Sequence, residues 1–269
     1  MPASSSKPLR RIAVAVALAA LVAGCAGGTS RETTGSIRKS SGQRIDSMTQ
    51  TQLNSAAQDL GYAYTKDTKN RDTALRYANV LQMQGKSDQA LAVMRKLVID
   101  HPKDRSVLSA YGKSLASVGE LEPALDAVRR AQTPEYPDWK LVSAEAAILD
   151  QLGQPDAARQ LYRKALDLKP NEPSVLSNLG MSYVLSGDLK TAETYLRSAS
   201  EQPGADSRVR QNLALVVGLQ GRFEEARDIA SRELSPEQAE ANMAYLRQMM
   251  AQQNAWNQIK DEDKKRKAN

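Results

Sequence analysis

Glycine recurs at positions 85, 119, 153, 187 and 221, a constant interval of 34. Alanine keeps the same interval at 90, 124, 158, 192 and 226. Seven residues before each of those glycines stands a small residue: Ala78, Gly112, Ala146, Gly180 and Ala214. Three residues after each small residue comes an apolar one: Leu81, Leu115, Leu149, Tyr183 and Val217. Four columns in register constrain the chain to a linear array of one supersecondary unit, because such a unit buries its apolar face only against its neighbours. The columns also have physical roles. The glycine ends a first helix, where a left-handed cap needs a residue without Cβ. The small residue lets a second helix approach, and the alanine sits where the two helices cross. Pro102, Pro170, Pro203 and Pro236 stop the second helix before the next unit begins.

The units are therefore 71–104, 105–138, 139–172, 173–206 and 207–240. Their length, and above all the run Leu161-Tyr-Arg-Lys-Ala-Leu-Asp-Leu-Lys-Pro170, resemble the tetratricopeptide repeat (TPR). The resemblance implies an all-α fold, an α-solenoid in which helix-turn-helix units wind into a right-handed superhelix. Two units depart from the pattern. Pro134 and Pro137 replace a single terminal proline in 105–138, and Glu233 occupies a normally small site in 207–240. Counting back 34 from Ala90 reaches Ala56, followed by Leu60 and Ala63, so 47–70 reads as an N-terminal half-repeat. Ser235-Pro236-Glu237-Gln238 places Ser at an N-cap, Pro at N1 and Gln at N3 of a last helix. That helix starts near 235 and is expected to run to about Ile259. It caps the final unit, with a charged tail completing 241–269.

The N-terminus carries Lys7, Arg10 and Arg11, then twelve apolar residues from Ile12 to Ala23. Twelve residues are too few to span a bilayer, which takes ~20. A basic stretch, a short apolar run and small residues at its exit form a secretory signal peptide. The exit, Leu21-Val22-Ala23-Gly24-Cys25, resembles a bacterial lipobox, with Val22 where Leu is more usual. The resemblance implies cleavage of residues 1–24 and lipidation of Cys25, the chain's single cysteine. Ala26, rather than an acid, implies sorting to the outer membrane, facing the periplasm. Residues 25–46 are Gly-, Ser- and Thr-rich and nearly free of apolar side chains, a flexible linker with a reach of roughly 25 Å.

Composition excludes several functions. One His and one Cys cannot build a clustered metal site or a Cys-x-x-Cys redox centre. Of the net charge of +6, Lys7, Arg10 and Arg11 supply half, and aromatic residues make up 4%. That leaves little positive charge or stacking surface for nucleic acid. No nucleophile elbow or phosphate loop appears. His101 precedes a proline at a helix end, and Glu145 and Asp150 are spaced as ordinary helical charges. The sequence thus predicts no catalytic residues, no metal, no cofactor, no small-molecule substrate and no enzyme. The expected partners are a membrane, through the lipid, and a protein of the cell envelope.

In the TPR family the partner-binding concave face is lined by first-helix positions 2, 5, 6, 9, 12 and 13. Here unit four offers Ser174, Ser177, Asn178, Met181, Val184 and Leu185, and unit five Arg208, Gln211, Asn212, Leu215, Gly218 and Leu219. The resemblance implies that Asn178 and Asn212 hold a partner's main chain. Met181, Leu185, Leu215 and Leu219 form an apolar floor, and Arg208 and Gln211 a polar flank. A clamp for C-terminal carboxylates is not supported, since Ser143 and Ala147 replace its Lys and Asn. A lipoprotein of about five such repeats resembles the Flp/Tad pilus assembly proteins of the TadD family and the pilotin-like lipoproteins that serve type IV pilus secretins. That implies assistance in assembling a pilus or its secretin. The alternative is an adaptor for outer-membrane protein assembly, envelope proteolysis or peptidoglycan enzymes.

Overall fold

A computed structural model describes residues 48–268 apart from 134 and 136, with side chains as far as Gln252. The lipidation expected at Cys25, the linker 25–46 and Pro134 lie outside the described residues. Twelve helices follow one another, and no strand occurs among the described residues. They are α1 (Gln50–Lys66), α2 (Arg71–Met83), α3 (Ser87–Asp100), α4 (Arg105–Ser117), α5 (Leu121–Ala131) and α6 (Trp139–Gln151). Then come α7 (Pro155–Leu168), α8 (Pro173–Leu185), α9 (Leu189–Glu201), α10 (Ser207–Leu219), α11 (Phe223–Ala230) and α12 (Pro236–Ala268). The chain divides into two compact units. One runs to Pro137 and includes Gln151–Gly153; the other takes Asp138–Asp150 and continues from Gln154.

Each hairpin turn is built by the glycine column. Gly85, Gly119, Gly153, Gly187 and Gly221 all have φ between +73° and +83°. The amide after each glycine donates to the carbonyl of the apolar column residue: Lys86 to Leu81 at 2.9 Å, Glu120 to Leu115 at 3.0 Å, Gln154 to Leu149 at 2.9 Å, Asp188 to Tyr183 at 3.0 Å and Arg222 to Val217 at 3.2 Å. This closes a Schellman cap and satisfies carbonyls the helix end would leave open. The first helices start on a second column, Asn70, Asp104, Asp138, Glu172 and Asp206. Four of its five side chains accept a backbone amide of the first turn, as Asn70 does from Thr73 at 3.0 Å and Asp206 from Val209 at 3.0 Å. Such caps contribute about 1 kcal/mol each. Arg71 reaches across to Asp104 at 2.7 Å and holds that carboxyl below its usual range, with the amides of Val107 and Ser106 helping against burial.

The packing explains the remaining columns. All five column alanines, Ala90, Ala124, Ala158, Ala192 and Ala226, are 0% exposed. A Cβ on Gly112 would lie 2.6 Å from Val128 Cγ2 and 3.1 Å from the carbonyl oxygen of Ala124. At Gly180 the corresponding atoms are Leu196 Cγ at 2.8 Å and the carbonyl oxygen of Ala192 at 3.1 Å. Paired helices thus touch backbone to backbone where the small column meets the alanine column. In the first unit the core is Ala74, Ala78, Leu81, Ala90, Val93, Met94, Leu97 and Val107. In the second, Val184, Leu196, Leu213, Val216, Val217 and Ile229 pack with Ala239 and Met243 of α12.

Unit five departs from the period. α11 has eight residues where α9 has thirteen, and α12 begins at Pro236, twenty-nine residues after Ser207. Glu233 therefore occupies no helical small site. It follows the end of α11 and pairs with Arg210. The capping box at Ser235 forms as its spacing predicts, with Gln238 N donating to Ser235 Oγ at 3.3 Å and Ser235 N to Gln238 Oε1 at 3.1 Å. α12 extends past Ile259 to Ala268. In sequence, acids at 261–263 precede bases at 264–267, an order that favours a helix.

Glu193 on α9 anchors an ion network between units four and five. It accepts from Arg222, from Gln220 Nε2 at 2.8 Å and from Arg197 Nε at 2.8 Å, and Arg222 also meets Glu225 at 2.8 Å. The Arg222 guanidinium, with Gln220 and Arg197, outweighs desolvation and lowers the Glu193 carboxyl to about 2 from 4.5. A depressed carboxylate pKa stabilises the fold above the unfolded value, and that contribution is lost as pH falls through the folded value. Thermal stability is therefore expected to fall between about pH 4.5 and pH 2, and Glu193→Gln to flatten that segment of the melting-temperature profile. An unchanged profile would show that the network contributes nothing.

Candidate protein-binding surface

The first helices of the second unit, α6, α8 and α10, are joined side by side by hydrogen bonds between side chains. Asn178 Nδ2 donates to Ser143 Oγ at 3.4 Å, and one unit later Asn212 Nδ2 donates to Ser177 Oγ at 3.1 Å. Ser182 Oγ donates to Asp150 Oδ1 at 2.8 Å. The first unit has a counterpart of this last link, Gln82 Nε2 to Ser114 Oγ at 2.8 Å. Both asparagines are half-buried, and each spends one N–H inside the protein before any partner arrives. Their carbonyl oxygens remain as acceptors.

The apolar positions divide. Leu185 is 40% exposed, while Leu215, Met181 and Leu219 are all half-buried, the last two against the core formed by α8 to α12. Gly218 and Val184 are buried, and Leu246 of α12 fills the space over Gly218, 2.5 Å from where a Cβ would stand. Arg208 extends into solvent with its side chain 69% exposed, its nearest acid being Asp206 at 3.5 Å. Gln211 is exposed and bonds Ser207 at 3.0 Å. The surface accordingly has an open patch around Leu185 and Leu215, a row of amides beside it, and Arg208 and Gln211 at its rim.

Sequence reasoning passed over a polar cluster at this surface. Glu145 is buried, and Asp150 sits half-buried among Ser182, Tyr162 and Arg159, so neither is an ordinary solvated charge. Arg159 lies over the Tyr183 ring at 4.1 Å and donates to the Ser182 carbonyl at 2.9 Å, and Tyr183 stacks on Tyr195 at 5.6 Å. That stack explains why the apolar column carries a tyrosine only in this unit. Burial pushes the Asp150 carboxyl up, against the hydrogen bonds of Ser182 and Tyr162 and the charge of Arg159. A signal was present: Ser114 and Ser182 stand two periods apart, and so do their partners Gln82 and Asp150.

A stack of helix hairpins with capped turns and a polar-apolar face on its first helices defines a repeat scaffold for binding protein segments. Tetratricopeptide-repeat models match residues 47–113, 119–173 and 151–216, and the chain belongs to that family. No curated protein sequence matches it. Among solved structures it is similar to TTC0263, a thermophilic TPR protein of Thermus thermophilus, at 22% identity and TM-score 0.57, over 65% of this chain and 97% of that one. It is similar to PilW, a widely conserved type IV pilus biogenesis factor, at 19% identity and TM-score 0.56, over 74% of this chain and 91% of that one. A chain of the APC/C hetero-tetramer Cut9–Hcn1 matches at 16% identity and TM-score 0.58, over 77% of this chain and 40% of that one. Likeness at these identities shows a shared fold.

Proposed function

We propose that this protein is a lipid-anchored scaffold of the outer membrane, facing the periplasm, that binds a component of a Flp/Tad-type pilus or its secretin. The single observation behind the binding surface is the open patch on α8 and α10, where Leu185 and Leu215 remain accessible beside half-satisfied Asn178 and Asn212. The lipobox-like Val22-Ala23-Gly24-Cys25 supports the anchor. The likeness to PilW and the resemblance to TadD-family lipoproteins support the choice of partner. A lipid anchor and a flexible linker would hold the surface near the membrane and raise its effective concentration for a partner assembling there.

The test places a photo-crosslinking residue at Leu185 in cells. The expected adduct is with the pilus secretin or a pilus subunit, lost in Leu215→Asp and in Arg208→Glu at retained melting temperature. Loss of one apolar anchor typically weakens binding by upwards of ~1 kcal/mol. Cys25→Ser is expected to release the protein from the outer-membrane fraction. Adducts with no pilus component, or adducts that persist in both variants, would overturn the reading.

A further inference from the structure

Asp150 lies at position twelve of its unit, one of the first-helix positions that line the concave face in the TPR family, and its carboxylate is half-buried. Its hydrogen bonds come from hydroxyls, Ser182 Oγ at 2.8 Å and Tyr162. Among the described residues it forms no ion pair, and the charge of Arg159 acts on it from a distance. Arg159 donates through Nε to Ser182 Oγ at 3.3 Å. Its remaining donors go to the Ser182 carbonyl, to Ser186 and, at 3.8 Å, to Asp156. A carboxylate withdrawn from water, with hydroxyl partners and no direct ion pair, is unfavourable to keep. At the same position units one, two, four and five carry the uncharged Gln82, Ala116, Val184 and Gly218.

We infer that Asp150 is a specificity-determining residue of the binding surface, taking a lysine or arginine side chain of the partner segment while Leu185 takes an apolar residue beside it. The inference rests on the proposed surface and names the chemistry of its occupant. The cation would give Asp150 the direct ion pair that Arg159 does not make. Because the site is poorly solvated, such a pair discriminates strongly against a neutral replacement.

The test uses the full-length chain and an array of fifteen-residue peptides tiled across the pilus secretin and pilus subunits. The bound peptides are expected to share one Lys or Arg next to an apolar residue. Asp150→Asn retains a carbonyl acceptor for Ser182 and removes a desolvated charge, so its melting temperature is expected to be equal or higher. Its affinity for those peptides should fall at least tenfold. Changing the basic residue of the best peptide to Gln should cost as much for the wild-type chain and nothing further for Asp150→Asn. Equal binding by Asp150→Asn, with Leu215→Asp inactive, would overturn this inference and leave the surface standing. Binding unaffected by either variant, or no peptide bound at all, would overturn both.

Discussion

Replacing Leu196 by alanine is expected to lower the unfolding free energy by about 2–5 kcal/mol. Leu196 is fully buried on α9, its Cγ facing Gly180 of α8 and its neighbours including Ala192, Leu213 and Val217. Truncation removes apolar contact on both sides of the hairpin, and the surrounding helices cannot collapse into the void. Their separation is already fixed by the approach of Gly180 to the Ala192 carbonyl. Denaturant unfolding followed by helical circular dichroism reads the loss directly. A change below about 1 kcal/mol would mean that the helices repack, contrary to the close-packed interior described above.

Gly180→Val approaches the same contact from the other side. Its Cβ would fall 2.8 Å from Leu196 Cγ, a branch point rather than a flexible end, and 3.1 Å from a backbone oxygen. α8 and α9 must then separate, at an expected cost of about 1–3 kcal/mol or more. Combining the two changes gives a sharper reading than either alone. Leu196→Ala removes the side-chain clash but leaves the Ala192 carbonyl, so the double variant should lose clearly less than the sum of the singles. Strict additivity would show that the valine does not meet the Leu196 side chain.

The fold was legible because each column answers one local physical demand. Gly85 and its successors need positive φ, Gly112 and Gly180 need the absence of a Cβ, and Ala90 and its successors fit a crossing point. The capping column at Asn70, Asp104, Asp138, Glu172 and Asp206 repeats as regularly and adds the start of each unit to its end. Glu233 marked unit five as irregular, but a charge at a small site signals disagreement without saying how it is resolved. The resolution, an α11 that stops at Ala230, depends on what packs after it. The binding surface was legible only in outline. Position within the unit places Met181 and Leu185 on one face, but whether each is open depends on helices far along the chain. Met181 is half-buried against the core and Leu185 is exposed. Asp150 was least legible, because its surroundings come from Tyr162 and Ser182, twelve and thirty-two residues away.

The shortened fifth unit sets where this array can grow. A stack of equal steps has no intrinsic last member, and duplication of one step leaves the next still in phase. Here phase is lost at the C-terminal end: α12 arrives five residues early, and Leu246 rests on a glycine at a position where no other unit has one. A thirty-four-residue insertion ahead of Ser207 would preserve every contact between neighbours. The same insertion after Leu234 would meet a surface shaped for α12 alone. Lengthening of this protein, in the laboratory or by gene duplication, is thereby confined to the interior of the array.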